Sequence, residues 1–569
     1  MKSNYILQQI KESFLAKKYD FTIKLFNEFV DQNTIPAGLN NLIGISYILR
    51  KNKEDKDVLL GLDCFEKAFL SEKKTIHGME GLCNLITVAS LNLENKELNE
   101  EIIEYLRRSE KYFLDSEPIF NNSLKFLTAG TTLFKYLLDN EKEKQLLQKL
   151  INSGSDSKLI ISKYLYTKNY STEWSQQDHY LNSKKYASVF TKLNSTNIKK
   201  IDYKKNNKIR LGIVSGDLND DHSISYFLNK TLSNLNINTF ELHAFSFYKP
   251  KITENNQIKL KKLFHKWNDV HSLNNQSVVN IIQENKIDIL IDLMGYTSGE
   301  RIQIFNTRIC PIQISWLAYC NTLGFENIDY IIADKNLILE KEEKYYAEKI
   351  IKLPNIWNSH SGFIFNRNPR PYLKKQDKKI TFGSFGNFRK ISNEVVETWS
   401  IILSQLDNTE LILKSSINFD YNKLLEKFEK KGVKNKIKIF KRTDFLNLED
   451  HINFYDKIDL ALDTFPYNGV TTTFEALWKG VPVITMMGYN FNSRCGESII
   501  KNAGYNQLIA KNKNEYFEIA KYYYDNIKEL EKLRDKIFNE VLYTPLFDTK
   551  LFSNNFENML LKIYKKKNL

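Results

Sequence analysis

Three consecutive threonines follow a glycine in "LDTFPYNGVTTTFEALWKGVP", which runs from Leu462 to Pro482. The stretch reads as a buried strand, a turn on Pro-Tyr-Asn-Gly, and an apolar helix. A helix N-terminus exposes unpaired N–H groups and a partial positive charge. Phosphate is its natural occupant. Gly469 lets backbone approach closely, and the hydroxyls of Thr471 and Thr472 add donors. Thr472 and Glu475 also have capping-box spacing, so a well-capped helix without a ligand explains the same residues. Gly480 fits the helix stop, with Pro482 just beyond it.

Other strand ends carry further chemistry. "ITFGSFGNF" is followed by "RKIS", which places Lys390 past a strand and before the helix "NEVVETWSIIL". A lysine there can meet a diphosphate as a point charge, although the chain is rich in ordinary surface lysines. "IRLGIVSGDLNDDHSISYF" ends a strand at Ser215, Gly216 and Asp217, with His222 five residues after the aspartate. That histidine could act as a base, orient an acceptor hydroxyl, or simply bond the backbone at a helix start. His451 opens a helix leading to the strand that carries Asp463, and its ring face could stack on a flat base. Gly295, Tyr296, Thr297 and Gly299 follow "LIDLM" and suit either a cleft mouth or a plain turn. GxxxxGK[ST] and GxGxxG are both absent, so neither a P-loop NTPase nor a nicotinamide dehydrogenase is indicated. No metal cluster has usable spacing, and no metal or cofactor is expected.

These loops need elements to hold them. Residues 1 to about 195 read as helices, with apolar residues at helical intervals in "YDFTIKLFNEFV" and "DVLLGLDCFEKAFLSE". Paired amphipathic helices suggest an α-solenoid, tetratricopeptide-like but without a fixed period. After "TKLNSTNIKKIDYKKNNK" the pattern becomes short apolar strands alternating with helices, as in parallel sheets covered on both faces. The runs are "IRLGIVSGD", "LHAFSFY", "IDILIDLMGY", "IQISWLAY" and "IDYIIAD". After "HSGFIFNRNPRPYLKKQDKK" come "ITFGSFGNF", "TELILKSS", "KIKIFKR", "IDLALDTF", "VPVITMM" and "YNQLIA". The expected domains are 1–200 (all-helical), 201–375 (first α/β half) and 376–569 (second half, with a C-terminal helix). Two such halves form a cleft, and ligands bind beyond the C-terminal ends of the strands.

The 569-residue chain is 42% hydrophobic and 13% aromatic, ample for packed cores. Its net charge of +14 comes from dispersed lysines, which read as solvated faces; no nucleic-acid partner is expected. No apolar run is long enough to span a bilayer, and the charged start is unlike a signal peptide, so a cytoplasmic protein without a membrane partner is expected. The five cysteines are scattered, with no CxxC pair, and read as small buried residues in a reducing compartment.

Taken together, these segments resemble the protein O-GlcNAc transferase family, its Spindly-type O-fucosyltransferase relatives and related bacterial tetratricopeptide-containing glycosyltransferases. The blocks that carry the resemblance are "RLGIVSGDLNDDHSISYF", "LIDLMGYTSGERIQIFNTRICPIQISWLAYCNTLG", "ITFGSFGNFRKIS", "LDTFPYNGVTTTFEALWKGVPVITMMG" and "SRCGESIIKNAGYNQLIAKNKNEY". They lie within about residues 175 to 569. The resemblance implies the GT-B fold, two Rossmann-like domains facing a cleft, preceded here by an all-α helical-repeat domain on which an acceptor protein docks. It implies inverting, metal-independent transfer of a sugar from a nucleotide donor. By the same resemblance Lys390 contacts the donor diphosphate, His451 stacks on the donor base, Thr471 and Thr472 bind phosphate, and Glu475 contacts the ribose. Asn468, Gly469 and Val470 complete the donor turn. His222 matches an acceptor-side catalytic histidine. Val470 stands where the animal O-GlcNAc enzymes have histidine, which leaves the sugar open. UDP-GlcNAc onto Ser/Thr is the first choice, with GDP-fucose, or UDP-glucose onto Asn, as alternatives. Self-association through the helices stays open, as does a reading from another class, a helical scaffold with an inactive transferase domain. Intact Lys390, Thr471 and Thr472 argue against the scaffold.

Overall fold

The computed structural model describes residues 2–29, 35–54, 56–93, 100–155, 157–190, 208–249, 256–369, 380–415, 417–441, 444 and 447–567. The expected boundaries near residues 200 and 375 lie outside these residues. The chain divides into two compact units. The first comprises Met1–Ile160, Ser415–Lys427 and Lys441–Asp444; the second comprises Ile161–Lys414, Phe428–Phe440 and Phe445–Leu569.

The first unit is helical. Its elements are α1 (Lys2–Leu15), α2 (Tyr19–Phe29), α3 (Ala37–Leu49), α4 (Asp57–Ser71), α5 (Ile76–Leu93), α6 (Glu100–Phe120), α7 (Leu124–Tyr136) and α8 (Asn140–Asn152). Successive helices pack as neighbours, and α5 also meets α7. Apolar positions at helical spacing supply the core: Ile10, Ile23, Phe26, Ile43 and Tyr47 form one cluster. Phe113 stacks on Phe126 with ring centroids 4.2 Å apart. Two later segments of chain complete this unit. Arg107 donates to both oxygens of Asp420, from Nε at 3.1 Å and from Nη2 at 2.9 Å. The Asp420 N–H donates to the Tyr136 carbonyl at 2.9 Å. Periodicity does not announce these excursions, because a contact between segments hundreds of residues apart leaves no pattern in a short window.

The second unit opens with the end of α9 (Lys158–Thr167), a 3-10 turn at Lys168–Tyr170, and α10 (Gln176–Ala187). Two parallel sheets follow. The first has strands β1 (Ile209–Ser215), β2 (Phe240–Ser246), β3 (Lys266–Asp269), β4 (Ile289–Asp292), β5 (Ile312–Ser315), β6 (Tyr330–Asp334) and β7 (Lys349–Leu353). Its order is β3-β2-β1-β4-β5-β6-β7. Helices α11 (Ser223–Ser233), α12 (Ile258–Lys261) and α13 (Asn275–Glu284) lie between its strands in sequence. The second sheet has β8 (Ile380–Ser384), β9 (Thr409–Lys414), β10 (Ile437–Phe440), β11 (Leu460–Leu462), β12 (Val483–Met486) and β13 (Ile509–Ala510), ordered β10-β9-β8-β11-β12-β13. The helices that follow β8 in sequence are α14 (Asn393–Gln405), α15 (Asn422–Glu429), α16 (Leu448–Asn453), α17 (Thr471–Trp478), α18 (Cys495–Ala503), α19 (Lys513–Asp525), α20 (Ile527–Glu540) and α21 (Thr549–Lys566).

Every apolar run read as a strand is one. β3 and β7 were not foreseen, and both are edge strands. "KWND" is polar and partly exposed, and "KIIKL" buries only its last residue. An edge strand need not carry the continuous apolar run of a strand covered on both faces. The C-terminal helix α21 returns to the first sheet's half. It packs on α11 and β7, and Phe556 lies 4.8 Å from the Trp316 ring. The halves are also tied by polar contacts. Arg494 makes a two-armed ion pair with Glu342 at 2.5 and 2.8 Å, and the Ser498 hydroxyl donates to Asp334 at 2.7 Å. Asp334 is buried, which raises its pKa to about 6.

Candidate functional site

The loop after β11 is built around one carboxylate. Asp463 accepts the Gly469 N–H at 2.7 Å through one oxygen and the Thr485 hydroxyl at 2.8 Å through the other. Burial raises its pKa to about 6. The Asn468 side chain is fully buried: it donates to the Thr464 carbonyl at 2.8 Å and accepts the Gly496 N–H at 3.1 Å. It therefore shapes the loop and does not line the cavity. A Cβ at Gly469 would meet the Thr472 hydroxyl at 2.5 Å, so glycine is needed for this close approach.

The capping box expected of Thr472 and Glu475 does not form. Helix α17 starts at Thr471, with Val470 as its cap residue and no side-chain cap bond. The Asp463 brace on Gly469 starts the helix earlier than the spacing suggested. The Thr473 hydroxyl instead donates back to the Gly469 carbonyl at 3.1 Å. That leaves the half-buried hydroxyls of Thr471 and Thr472 facing the cavity without cap duty. Gly480, at φ +78°, ends the helix as expected.

Lys390 closes the 3-10 turn Phe388–Lys390 after β8. Its Nζ donates to the Asn468 carbonyl at 2.8 Å and lies 4.1 Å from the centre of the Tyr467 ring. Burial lowers its pKa to about 8, against the pull of Asp463. On the opposite wall His222 is the cap residue of α11, and its Nδ1 accepts the Ile224 N–H at 3.3 Å. A neutral ring with Nδ1 so occupied carries its proton on Nε2. Nε2 lies 3.8 Å from a carboxylate oxygen of Asp217, whose pKa burial raises while His222 lowers it.

One cavity of 230 Å³ brings together His222, Lys390, Val470, Thr471 and Thr472, with Tyr467, Asn492, Cys320 and Cys495. Its walls come from loops at the C-terminal ends of strands in both sheets, where open α/β sheets bind ligands. A wider hollow of 760 Å³ lies between α19 and α20, where Glu515, Tyr522 and Lys532 line it; none of the expected site residues is there.

His451 and Glu475 lie outside the cavity lining and form a second group behind the first turn of α17. His451 is the fourth residue of α16 rather than its start. Its Nε2 meets Glu475 at 3.3 Å, and the Tyr455 hydroxyl donates to the same carboxylate oxygen at 2.8 Å and to the Thr472 carbonyl at 3.2 Å. Burial would raise Glu475, but His451, Tyr455 and Lys414 together bring it below the usual carboxylate range. Lys414, at the end of β9, donates to the His451 carbonyl at 3.0 Å, and burial lowers its pKa to about 7. Neither Lys414 nor Tyr455 was singled out from sequence. The signals were a lysine directly after the apolar "LIL" of a strand, and a tyrosine one helical turn beyond His451. The loop Gly295–Gly299 proves to be a plain turn: Tyr296 is buried and its hydroxyl donates to the Leu323 carbonyl at 2.6 Å. Among the described residues no three carboxylate, imidazole or thiol groups converge as a metal-ion site. No described helix is long and apolar enough to cross a membrane.

Two open parallel sheets facing one cleft are the GT-B architecture of glycosyltransferases. A solved O-GlcNAc transferase of Thermobaculum terrenum, a lysine-to-methionine variant, shares the fold with a TM-score of 0.78; the match covers 94% of this chain and 99% of that one at 21% identity. The sequence profile of glycosyl transferase family 41 matches residues 175–366 and 361–556, and the chain belongs to that family. It is 30% identical over 373 residues to the probable UDP-N-acetylglucosamine–peptide N-acetylglucosaminyltransferase SPINDLY of Solanum lycopersicum, covering 63% of this chain and 39% of that protein. It is 29% identical over 367 residues to the protein similarly named SEC of Arabidopsis thaliana, covering 63% and 37%. The chain thus spans about two fifths of the length of these relatives.

Proposed function

We propose that this chain transfers a sugar, with inversion, from a nucleoside-diphosphate donor to a protein side chain, with UDP-GlcNAc and serine or threonine hydroxyls as the first choice. One observation carries the reading: the Lys390 ammonium and the first turn of α17, with the hydroxyls of Thr471 and Thr472, converge on the same cavity. The leaving group is a nucleoside diphosphate. A preorganised lysine and a helix N-terminus stabilise the charge that grows on it without a metal ion. His222, presenting Nε2–H, orients the acceptor hydroxyl, whose proton leaves to a base or to a donor phosphate oxygen. His451 offers its ring to the donor base. Glu475, one of whose carboxylate oxygens meets His451 and Tyr455, holds that ring in place and contacts the donor ribose. The names of the SPINDLY and SEC relatives support UDP-GlcNAc and a peptide acceptor, and in this reading the acceptor docks on the helical unit.

A panel of UDP-GlcNAc, UDP-glucose and GDP-fucose tests this. The true donor raises thermal stability by mass action and is turned over equally with and without EDTA. GDP-fucose or UDP-glucose as the stabilising donor would change the sugar and keep the class. Full inhibition by the chelator would overturn the metal-free step. Absence of both binding and turnover, with a partner still held by the helices, would favour the scaffold.

A further inference from the structure

The geometry points to Tyr467 and Tyr170 as positioning residues: two stacked rings, clamped between the consecutive cations Arg389 and Lys390, hold the Lys390 ammonium at the cavity. The inference rests on the reading of Lys390 as the group that meets the donor diphosphate. Lys390 Nζ lies 4.1 Å from the Tyr467 ring centre. The Tyr467 and Tyr170 rings stack at 5.2 Å with 28° between their planes. The Arg389 guanidinium lies 4.9 Å from the Tyr170 ring centre. Tyr166 braces the stack from the side, its hydroxyl 3.2 Å from that of Tyr467. The four members of the stack come from three places: the turn after β8, the turn after α9 and the loop after β11.

The chemistry explains why rings are used. A carboxylate placed against Lys390 would hold it but cancel its field. A ring face holds an ammonium through its quadrupole and leaves the charge available to an incoming anion. The groups facing Lys390 are Asp463 after β11, the thiols of Cys320 after β5 and Cys495 at the start of α18, the Asn468 carbonyl, and His222 across the cavity. Asp463 is committed to Gly469 and Thr485. The Tyr467 ring face, 4.1 Å from the ammonium, therefore does the holding.

Two measurements test this on the full chain. The first is competitive labelling with acetic anhydride, following the Lys390 peptide by mass spectrometry as a function of pH; it needs no donor. The second is the pH profile of donor turnover, whose basic limb falls as Lys390 loses its proton. Tyr467→Phe keeps the ring face, and both the Lys390 pKa and the limb are expected to stay in place. Tyr467→Leu removes the quadrupole and is expected to move both down by roughly half to one and a half pKa units. Equal behaviour of the two variants, or no shift in the leucine variant, would overturn the proposal. Tyr170→Leu gives a second route should Tyr467→Leu not fold: a smaller shift in the same direction is expected, and none would overturn it. A labelling shift in a chain that turns over no donor would sink the transferase reading and keep the clamp. Normal turnover without a shift would do the reverse.

Discussion

Replacing Lys390 with methionine should separate activity from stability. In the fold the ammonium is half-buried, and its pKa falls from 10.5 to about 8 because burial disfavours the charged form. That fall corresponds to about 3 kcal/mol of folding free energy given up at neutral pH. Methionine keeps most of the side-chain volume but cannot make the bond to the Asn468 carbonyl, a loss of about 1 kcal/mol. Lys390→Met is therefore expected to be more stable than the wild type by at most about 2 kcal/mol. The sign with pH follows from linkage: the wild type carries the penalty below its folded pKa and sheds it as pH rises from about 8 toward 10.5. The stability gap should close over that window. Turnover should move the other way, falling by about 10²–10³, the usual cost of removing one preorganised charge-stabilising donor. Equilibrium urea unfolding at several pH values and donor turnover read the two effects. A variant less stable than wild type by a pH-independent amount, with near wild-type turnover, would refute both the burial argument and the role of Lys390.

Three further outcomes are expected. His222→Ala should leave donor affinity intact and slow transfer by about 10²–10⁴; loss of donor affinity alone in a binding titration would contradict an acceptor-side role. Glu475→Gln should weaken donor binding by about tenfold or more through His451. It should also flatten acid unfolding, because the lowered Glu475 pKa contributes stability above the ordinary carboxylate range that is lost as pH falls through the folded value. An unchanged acid limb would show that the pair does not matter. Gly469→Ala should displace the Thr472 hydroxyl, which a Cβ would meet at 2.5 Å, and weaken the donor several-fold; unchanged affinity in the same titration would remove Thr472 from the site.

Local legibility varied with how local the cause was. Lys390, Thr471 and Thr472 were readable because each follows a buried strand, and a strand end followed by a helix start points groups into a cleft whatever else the chain does. The capping-box spacing of Thr472 and Glu475 is a local rule, whereas the helix start is set by Asp463 reaching Gly469 across the loop. Asn468 was expected beside the donor and instead braces the loop from within, a difference of side-chain direction that spacing does not encode.

Residue order alone determined the two series of buried strands, the helical first part and the loops that carry chemistry, because apolar periodicity and helix-start signals are properties of short windows. Tertiary structure alone decided which of those loops share a cavity. His222 reaches Lys390's cavity from the other sheet, whereas His451 and Glu475 pair behind α17 with Lys414 and Tyr455. It also decided that Arg389, Tyr170, Tyr467 and Lys390 form one stack. These residues lie hundreds of positions apart in places, and only the closing of two sheets and the intervening helices against each other brings their charges and rings within reach.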